Sequence, residues 1–553
     1  MDPEAAREAL AAYHRLSSHA PGRYAPGPGR LDWASQPDPF RRYAGAPRLD
    51  LPLPPVPLGT PAAALAGARP PPRRLDREAL GALLGLSFGL AAWKQWGTSR
   101  WALRCNPSSG NLHPTEAYVV TAGLPGLPAG TWHYVSLLHA LEHRAAPARP
   151  EALAEAWPGE GVLVGLSSIV WRESWKYGVR AWRYCNHDAG HALAALACAA
   201  AALGWRTRLL ARFGDDDVAA LLGLDRAADL DGAEPEVPDL LAWVGPEAAE
   251  PDPAALRAAF AAARPAWHGR ASRLSATRVE WPGIAEAEAA ARKPRGAAPP
   301  RPPAAKAPPP AALPADGLDA AVLFRRRRSA VAFDGRTAMP RAHFLALLDR
   351  LLARPSLPPW EALPWAPRLA LVLLVHRVEG LAPGAYLLPR GASLPLPAGE
   401  PVPEAPAHLG LARLAAGDVR ELARTSSCHQ EIASDPCFAA AMLAPLEQAL
   451  AEGGWWYRWL HWEAGAVGHM LYLGAELAGL RGTGIGCFLD ALVPQALGVA
   501  PGVADLYHFT VGAGVEDPRL TTLPPYGALE DLRREDAACL RGGAGLPSAP
   551  ARR

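Results

Sequence analysis

Residues 106–116 read NPSSGNLHPTE, a polar loop clamped between two prolines and running straight into an apolar stretch. Pro107 and Pro114 restrict the backbone and remove two donors. Ser108, Ser109 and Asn111 add short hydrogen-bonding groups, and Gly110 permits close approach of a planar ligand. A bland polar turn could share this composition, but an ordered run of eleven residues marks a binding loop.

Two further segments belong with it. WKYG at 175–178 leads into RAWRYCNHDAGH at 180–191, and the glycine-rich GTGIGCFLDALVPQALGV at 482–499 precedes YHFTVGAGVEDPRLTTLPPY at 507–526. Together these stretches resemble the nitroreductase-like flavoproteins, in the branch typified by SagB-type thiazole/oxazole dehydrogenases. The similar stretches cover most of residues 80–245 and 318–526. The resemblance implies flavin mononucleotide (FMN) as cofactor. It also implies a dimer interface as the site, with phosphate held by an Arg-Ser segment of one subunit and the ring edge touched by the Pro-Ser-Ser loop of the other.

The chain also repeats itself. RYCNHDAG at 183–190 matches RWLHWEAG at 458–465, an offset of 275 that also carries Gly204 onto Gly479 and LLGL (221–224) onto ALGV (496–499). With smaller offsets GLPAGTW (126–132) falls on GLAPGAY (380–386), and WVG (243–245) on TVG (510–512). Each half begins with a helical pattern, at 80–90 and 344–352, and continues through strand-turn-strand units. A long Ala/Leu-rich helix follows, at 188–203 and 463–480, and a short apolar strand ends the half. Helices flanking a mainly antiparallel sheet predict an α+β fold, as two tandem domains forming an intramolecular pseudo-dimer.

Each half has lost a different part of the site that the resemblance implies. FRRRRSAVAF at 324–333 supplies Arg328 and Ser329 as the Arg-Ser phosphate clamp, with Arg327 or Arg325 as a second charge because Val331 stands where a further arginine is common. No Arg-Ser pair occurs in PAAALAGARPPPRR at 61–74. Conversely, EALPWAPRLA at 361–370, the counterpart of the Ser-Ser loop, has neither Ser nor Asn. One flavin site per chain is expected. Pro107, Ser108, Ser109 and Asn111 come from the first half; Arg327, Arg328, Ser329, the Gly484, Ile485 and Gly486 backbone, and Arg519 come from the second. A solvated basic helix end is the competing reading of the arginines, and helix capping that of the glycines.

Lys176 is the candidate for chemistry. Four lysines stand against fifty-two arginines, and an ammonium can release its proton where a guanidinium cannot. Tyr177 beside it offers a phenol, and the pair matches the Lys-Tyr of the dehydrogenase branch; a surface lysine beside a core tyrosine is the plainer alternative. His187 and His191 flank Asp188 at helical spacing but lack a third ligand, so no metal is expected. Asp188 and Glu463 read as acidic helix starts. Trp455, Trp456, Tyr457, Trp459 and Trp462 read as interface core.

Composition bounds the rest. A net charge of +2 offers no field for nucleic acid or an anionic membrane, and no apolar run reaches bilayer length. Seven scattered cysteines without ligand spacing suit a reducing cytoplasm. Punctuation predicts a Pro/Gly-rich arm at 1–75, domains at 76–290 and 318–530, an exposed Pro/Ala-rich linker at 291–317 and a tail at 531–553. The resemblance implies hydride transfer through flavin N5 on a small-molecule or peptide substrate, first as azoline-to-azole dehydrogenation with O2 as one possible acceptor. NAD(P)H-driven reduction of nitroaromatics or quinones is the second reading, and a flavin-binding partner without turnover the third.

Overall fold

The computed structural model describes residues 1–299, 308–392 and 394–542. In the first half an eight-stranded sheet has six main strands, β1 (Thr115–Thr121), β2 (Gly130–Val135), β3 (Ala140–Pro147), β4 (Val162–Ser168), β5 (Arg206–Leu209) and β6 (Val237–Gly245), with Arg48–Asp50 and Pro265–Trp267 both paired to β3 at its edge. The second half contributes β7 (Ala370–Val375), β8 (Gly384–Leu388), β9 (Ala412–Ala416), β10 (Phe438–Ala444), β11 (Arg481–Ile485) and β12 (Ala504–Gly512). Their spatial orders are β3-β2-β1-β4-β6-β5 and β9-β8-β7-β10-β12-β11, the same permutation twice. Every pairing along these two paths is antiparallel. The central strands β4 and β10 are buried along their whole length, so neither alternates; β10 is apolar throughout, while β4 ends on Ser167 and Ser168, whose hydroxyls donate to Glu236 and Asp239.

Two helices of 22 residues, α1 (Ala181–Ala202) and α2 (Trp456–Leu477), pack against each other at the centre. Both are buried on all sides, which explains their apolar or small residues around the full turn. They start earlier than the apolar pattern predicts, because RAWRYCN and WYRWLHW are themselves buried. Asp188 and Glu463 therefore lie inside the helices rather than at their starts. The helices approach at the repeated glycines. A Cβ on Gly190 would stand 2.2 Å from the Trp462 carbonyl oxygen, and one on Gly465 2.2 Å from that of His187. The expected helices at 80–90 and 344–352 run instead over Arg77–Ser87 and Arg341–Asp349; Asp76 caps the first by accepting from the Ala79 N–H.

The halves also exchange edges. Thr521–Leu523 of the second half pairs with Leu90–Trp96 of the first, which pairs with Ser99–Arg104. Three boundary readings need correction. The arm contains a helix, Pro3–Leu16, that packs on both halves and buries Leu10 and Tyr13. The linker is docked at both ends: Lys293 is buried and donates to the Phe213 carbonyl, and Leu313 enters the core; residues 300–307 lie outside the described residues. The tail begins as a helix, Leu529–Gly542, whose Asp536 pairs with Arg42 and Arg48 of the first half; residues 543–553 lie outside the described residues. The corrections share a cause: single residues in Pro- or Ala-rich sequence, apolar in the arm and at Leu313, charged at Lys293 and Asp536, find buried partners far along the chain. Among the described residues no helix is long and apolar enough to cross a membrane.

Candidate functional site

A cavity of about 760 Å³ opens between the halves. The first half lines it with residues 106–111, Tyr177, Tyr184, Asp188 and His191. The second half supplies 326–331, Tyr472, 483–487 and Tyr507. Its volume lies within the range of about 300–1,000 Å³ usual for cofactor sites.

The loop is held from beneath by α1. The Ser109 N–H and hydroxyl both donate to the Asp188 carboxylate, at 3.1 and 3.0 Å. Burial pushes this carboxyl up to about 7, against the hydrogen bonds from Ser108 and Ser109. The Asn111 amide donates to the Ala102 carbonyl at 2.8 Å, and its oxygen meets His113 Nε2 at 3.0 Å. Gly110 has φ +56°, and a Cβ there would stand 2.5 Å from the Tyr177 hydroxyl and 3.2 Å from Lys176 Nζ. The glycine thus makes room for the Lys-Tyr pair. Gly110 also lines the cavity, so its other side faces the space a ligand would take.

Tyr177 is pushed well above the ordinary phenol range by burial and then by the Glu173 charge, so at neutral pH it is a neutral hydrogen-bonding group. Lys176 Nζ lies 5.1 Å from the Tyr177 ring centroid, and Lys176 is not itself among the cavity-lining residues. Glu173 is driven well above the usual carboxylate range by burial and by Asp188, with Lys176 opposing.

Opposite the loop stand the arginines. Arg327 donates to the Cys105 and Arg104 carbonyls, at 3.2 and 3.1 Å, reaching across to the backbone just before the loop. Arg328 donates to the carbonyls of Arg325, Arg327 and Ala91. Among the described residues neither guanidinium has a carboxylate partner, in contrast to Arg326, which pairs with Glu476 at 3.2 Å. Burial lowers both pKa values, Arg328 to about 10 with Arg327 contributing. Two cations, Arg327 buried and Arg328 half-buried, facing a cavity with no carboxylate partner among the described residues and with N–H groups to spare, suit a bound anion.

The wall between them is β11. Ser329 forms a parallel bridge with Gly482, and its hydroxyl meets the Tyr472 hydroxyl at 2.7 Å; that hydroxyl also accepts from the Gly484 N–H at 3.1 Å. The glycines admit aromatic rings. A Cβ on Gly484 would stand 1.9 Å from the Tyr507 hydroxyl, and one on Gly486 2.4 Å from the Tyr184 ring. Tyr507 in turn meets His191 Nε2 at 3.1 Å, and burial keeps this imidazole neutral.

The pseudo-equivalent position is filled. Matched through the equivalent hairpin pairs Thr121–Gly130 and Val375–Gly384, Trp365 stands where Asn111 stands. Its Nε1 donates to Glu463, the counterpart of Asp188, at 3.2 Å, and its ring stacks on Trp459 at 4.6 Å. Arg390 also donates to Glu463, at 2.8 Å. Trp456 packs edge-on against both rings.

With this geometry, solved structures are informative about the fold. A protein of Anabaena variabilis described as a nitroreductase aligns over 92% of this chain and 99% of its own, with a TM-score of 0.63 and 23% identity. The fold is nitroreductase-like. Because the alignment spans nearly all of both chains, the paired-domain architecture is common to the two. Shorter alignments reach a chain of the E. coli microcin synthetase McbBCD complex with truncated pro-MccB17 bound (19% identity, 34% of this chain, 70% of that one, TM-score 0.27). Another reaches an oxidoreductase containing FMN (16%, 35%, 77%, TM-score 0.20). No protein-family model and no curated protein sequence matches the chain.

Within the nitroreductase-like frame, Pro107, Ser108, Ser109, Asn111, Arg327, Arg328, Ser329, Gly484, Ile485 and Gly486 line one cavity. Arg519 does not: it is exposed and paired with Asp517 at 2.7 Å. Sequence reasoning missed Tyr184, Asp188, His191, Arg481, Tyr472 and Tyr507, all cavity-lining. Asp188 carried a signal in its match to Glu463 in the repeat, and His191 in its helical spacing from His187. Among the described residues no cluster of three or more His, Cys, Asp or Glu could hold a metal.

Proposed function

We propose that this chain is an FMN-dependent oxidoreductase with one flavin site, and that its substrate is a heterocycle, an azoline in a peptide or small molecule that leaves as an azole. The observation that carries this reading is a pair of guanidiniums, Arg327 buried and Arg328 half-buried, that have no carboxylate partner among the described residues and share a cavity with the loop Pro107 to Asn111. The residues present fit the group. Arg327, Arg328 and Ser329 would hold the phosphate, and Ser108, Ser109 and Asn111 would meet the polar edge of the ring. When bound, the flavin supplies a two-electron acceptor for a hydride.

The protein's own part is positioning and proton transfer. Asp188 fixes the loop through Ser109. Tyr177, neutral and in the cavity wall, meets the proton that leaves the substrate and passes it to Lys176, whose Nζ lies 5.1 Å from the Tyr177 ring centroid.

Purified protein is expected to carry one noncovalent FMN per chain, because Trp365 and Trp459 fill the second position; extraction and absorbance measure it, and two flavins per chain would overturn the one-site reading. Removing either phosphate contact, Arg327→Ala or Arg328→Ala, is expected to weaken FMN binding about ten- to a hundredfold, from about 1.5–3 kcal/mol per charged contact. Titration of apoprotein with FMN checks this. NAD(P)H oxidation by the flavin-loaded protein separates the alternative, a nitroaromatic or quinone reductase, from the dehydrogenase. Rapid NAD(P)H consumption would favour the reductase, and conversion of an azoline peptide would favour the proposal.

A further inference from the structure

Two cysteines far apart in sequence meet at the rim of this cavity. Cys487 follows the glycine strand and lines the cavity, and its Sγ lies 2.8 Å from that of Cys428. Both side chains are partly exposed. The segments that carry them are braced together: the Gln430 amide donates to the Ser427 and Cys487 carbonyls at 2.7 and 3.2 Å, and the Leu489 N–H donates to the Ser426 carbonyl at 2.7 Å. Cys428 and His429 both hold left-handed backbone, at φ +55° and +60°. Such conformations in residues other than glycine persist only where surrounding contacts enforce them.

The flanking groups favour a thiolate at one sulfur. Hydrogen bonding with Cys428 comes first, and the His19 imidazole second, in holding the Cys487 thiol down to about 5 against its burial. His19 Nδ1 accepts the Ala25 N–H at 2.8 Å, which leaves the Nε2 proton free to face the sulfur. The Arg180 guanidinium adds positive charge. The same hydrogen bond and burial raise Cys428, so that the two thiols divide the roles of nucleophile and proton holder.

We infer that Cys487 and Cys428 form a redox-active dithiol that exchanges with small or peptide disulfides entering the cavity. The Cys487 thiolate attacks one sulfur of the disulfide, forming a mixed disulfide and releasing one thiolate. Cys428 then loses its proton and attacks Cys487 Sγ, forming the intramolecular disulfide and releasing the second thiolate. Two protein thiols are oxidised and one external disulfide is reduced to two thiols, so the electrons balance without another reactant. The exchange does not depend on a bound flavin.

Full-length reduced protein is incubated with oxidised glutathione, then alkylated, digested and analysed by mass spectrometry. The expected result is a dominant Cys428–Cys487 linked peptide, lighter by two hydrogens and reversed by dithiothreitol. In Cys428→Ser the mixed disulfide with glutathione should accumulate on Cys487. In Cys487→Ser, labelling of Cys428 should fall about tenfold or more below that of Cys487 in Cys428→Ser, since a thiol with a raised pKa reacts slowly. Recovery of both wild-type thiols free after oxidised glutathione would overturn the proposal, as would glutathione spread evenly over Cys428, Cys437 and Cys487. The wild-type measurement decides even if a variant fails to fold.

Discussion

Lys176→Arg is expected to lower turnover by about 10²–10⁴-fold while leaving FMN content and folding near the wild-type level. The substitution is chosen because it keeps most of what a structural role would need. Arginine retains the positive charge near Glu173 and can still lie over the Tyr177 ring, as Lys176 Nζ does at 5.1 Å. It cannot give up its proton at neutral pH, so only a base role is lost. Lys176→Ala should show the same rate loss. The measurement is single-turnover flavin reduction by an azoline substrate, with flavin occupancy read in parallel. A wild-type rate with arginine at 176 would remove Lys176 from the mechanism, and Asp188, with its carboxyl near 7 and its place in the cavity wall, would become the candidate base.

Gly190→Leu is expected to destabilise the whole chain by about 3 kcal/mol or more and to abolish flavin retention with it. In an exposed helix, replacing glycine by a good helix former gains about 1 kcal/mol. Here the first added carbon would stand 2.2 Å from the Trp462 carbonyl oxygen, a backbone atom inside a buried helix that has no rotamer by which to yield. The two 22-residue helices must separate, and that opens voids along a seam built from both halves. The cavity spans the same two halves, so its loop and its arginines move apart together. Denaturant unfolding with flavin release as a second probe tests this. Gly317→Leu is the control, because no atom lies within 4 Å of a Cβ there. Equal midpoints for the two variants would show that the helix crossing does not hold the halves together.

The duplication was legible because its signature is local: RYCNHDAG and RWLHWEAG sit on helices that begin at 181 and 456, and the glycine inside each must meet the other helix. The loop at 106–111 and the arginines before Ser329 were legible for a similar reason, since unusual residues in short order leave few alternative uses. The same local reasoning misplaced Arg519, whose Asp517 neighbour is as visible in sequence as the arginine itself. It also read the linker as exposed and 531–553 as a tail, because no local pattern announces that Lys293 or Asp536 has a buried partner.

By itself, then, the sequence determined a two-copy α+β chain in which a polar loop survives in one half and a cationic segment in the other. What the tertiary structure alone decided is how those pieces work. Gly110 leaves room for Tyr177, Gly484 for Tyr507 and Gly486 for Tyr184, and of these rings Tyr507 and Tyr184 look like ordinary core until the chain is folded. Tyr507 and His191 are 316 residues apart, and Trp365 closes the second position through a glutamate on a distant helix. Such pairings rest on close packing between remote segments, where an atom's neighbour within 3 Å is set by the whole backbone rather than by the residues beside it.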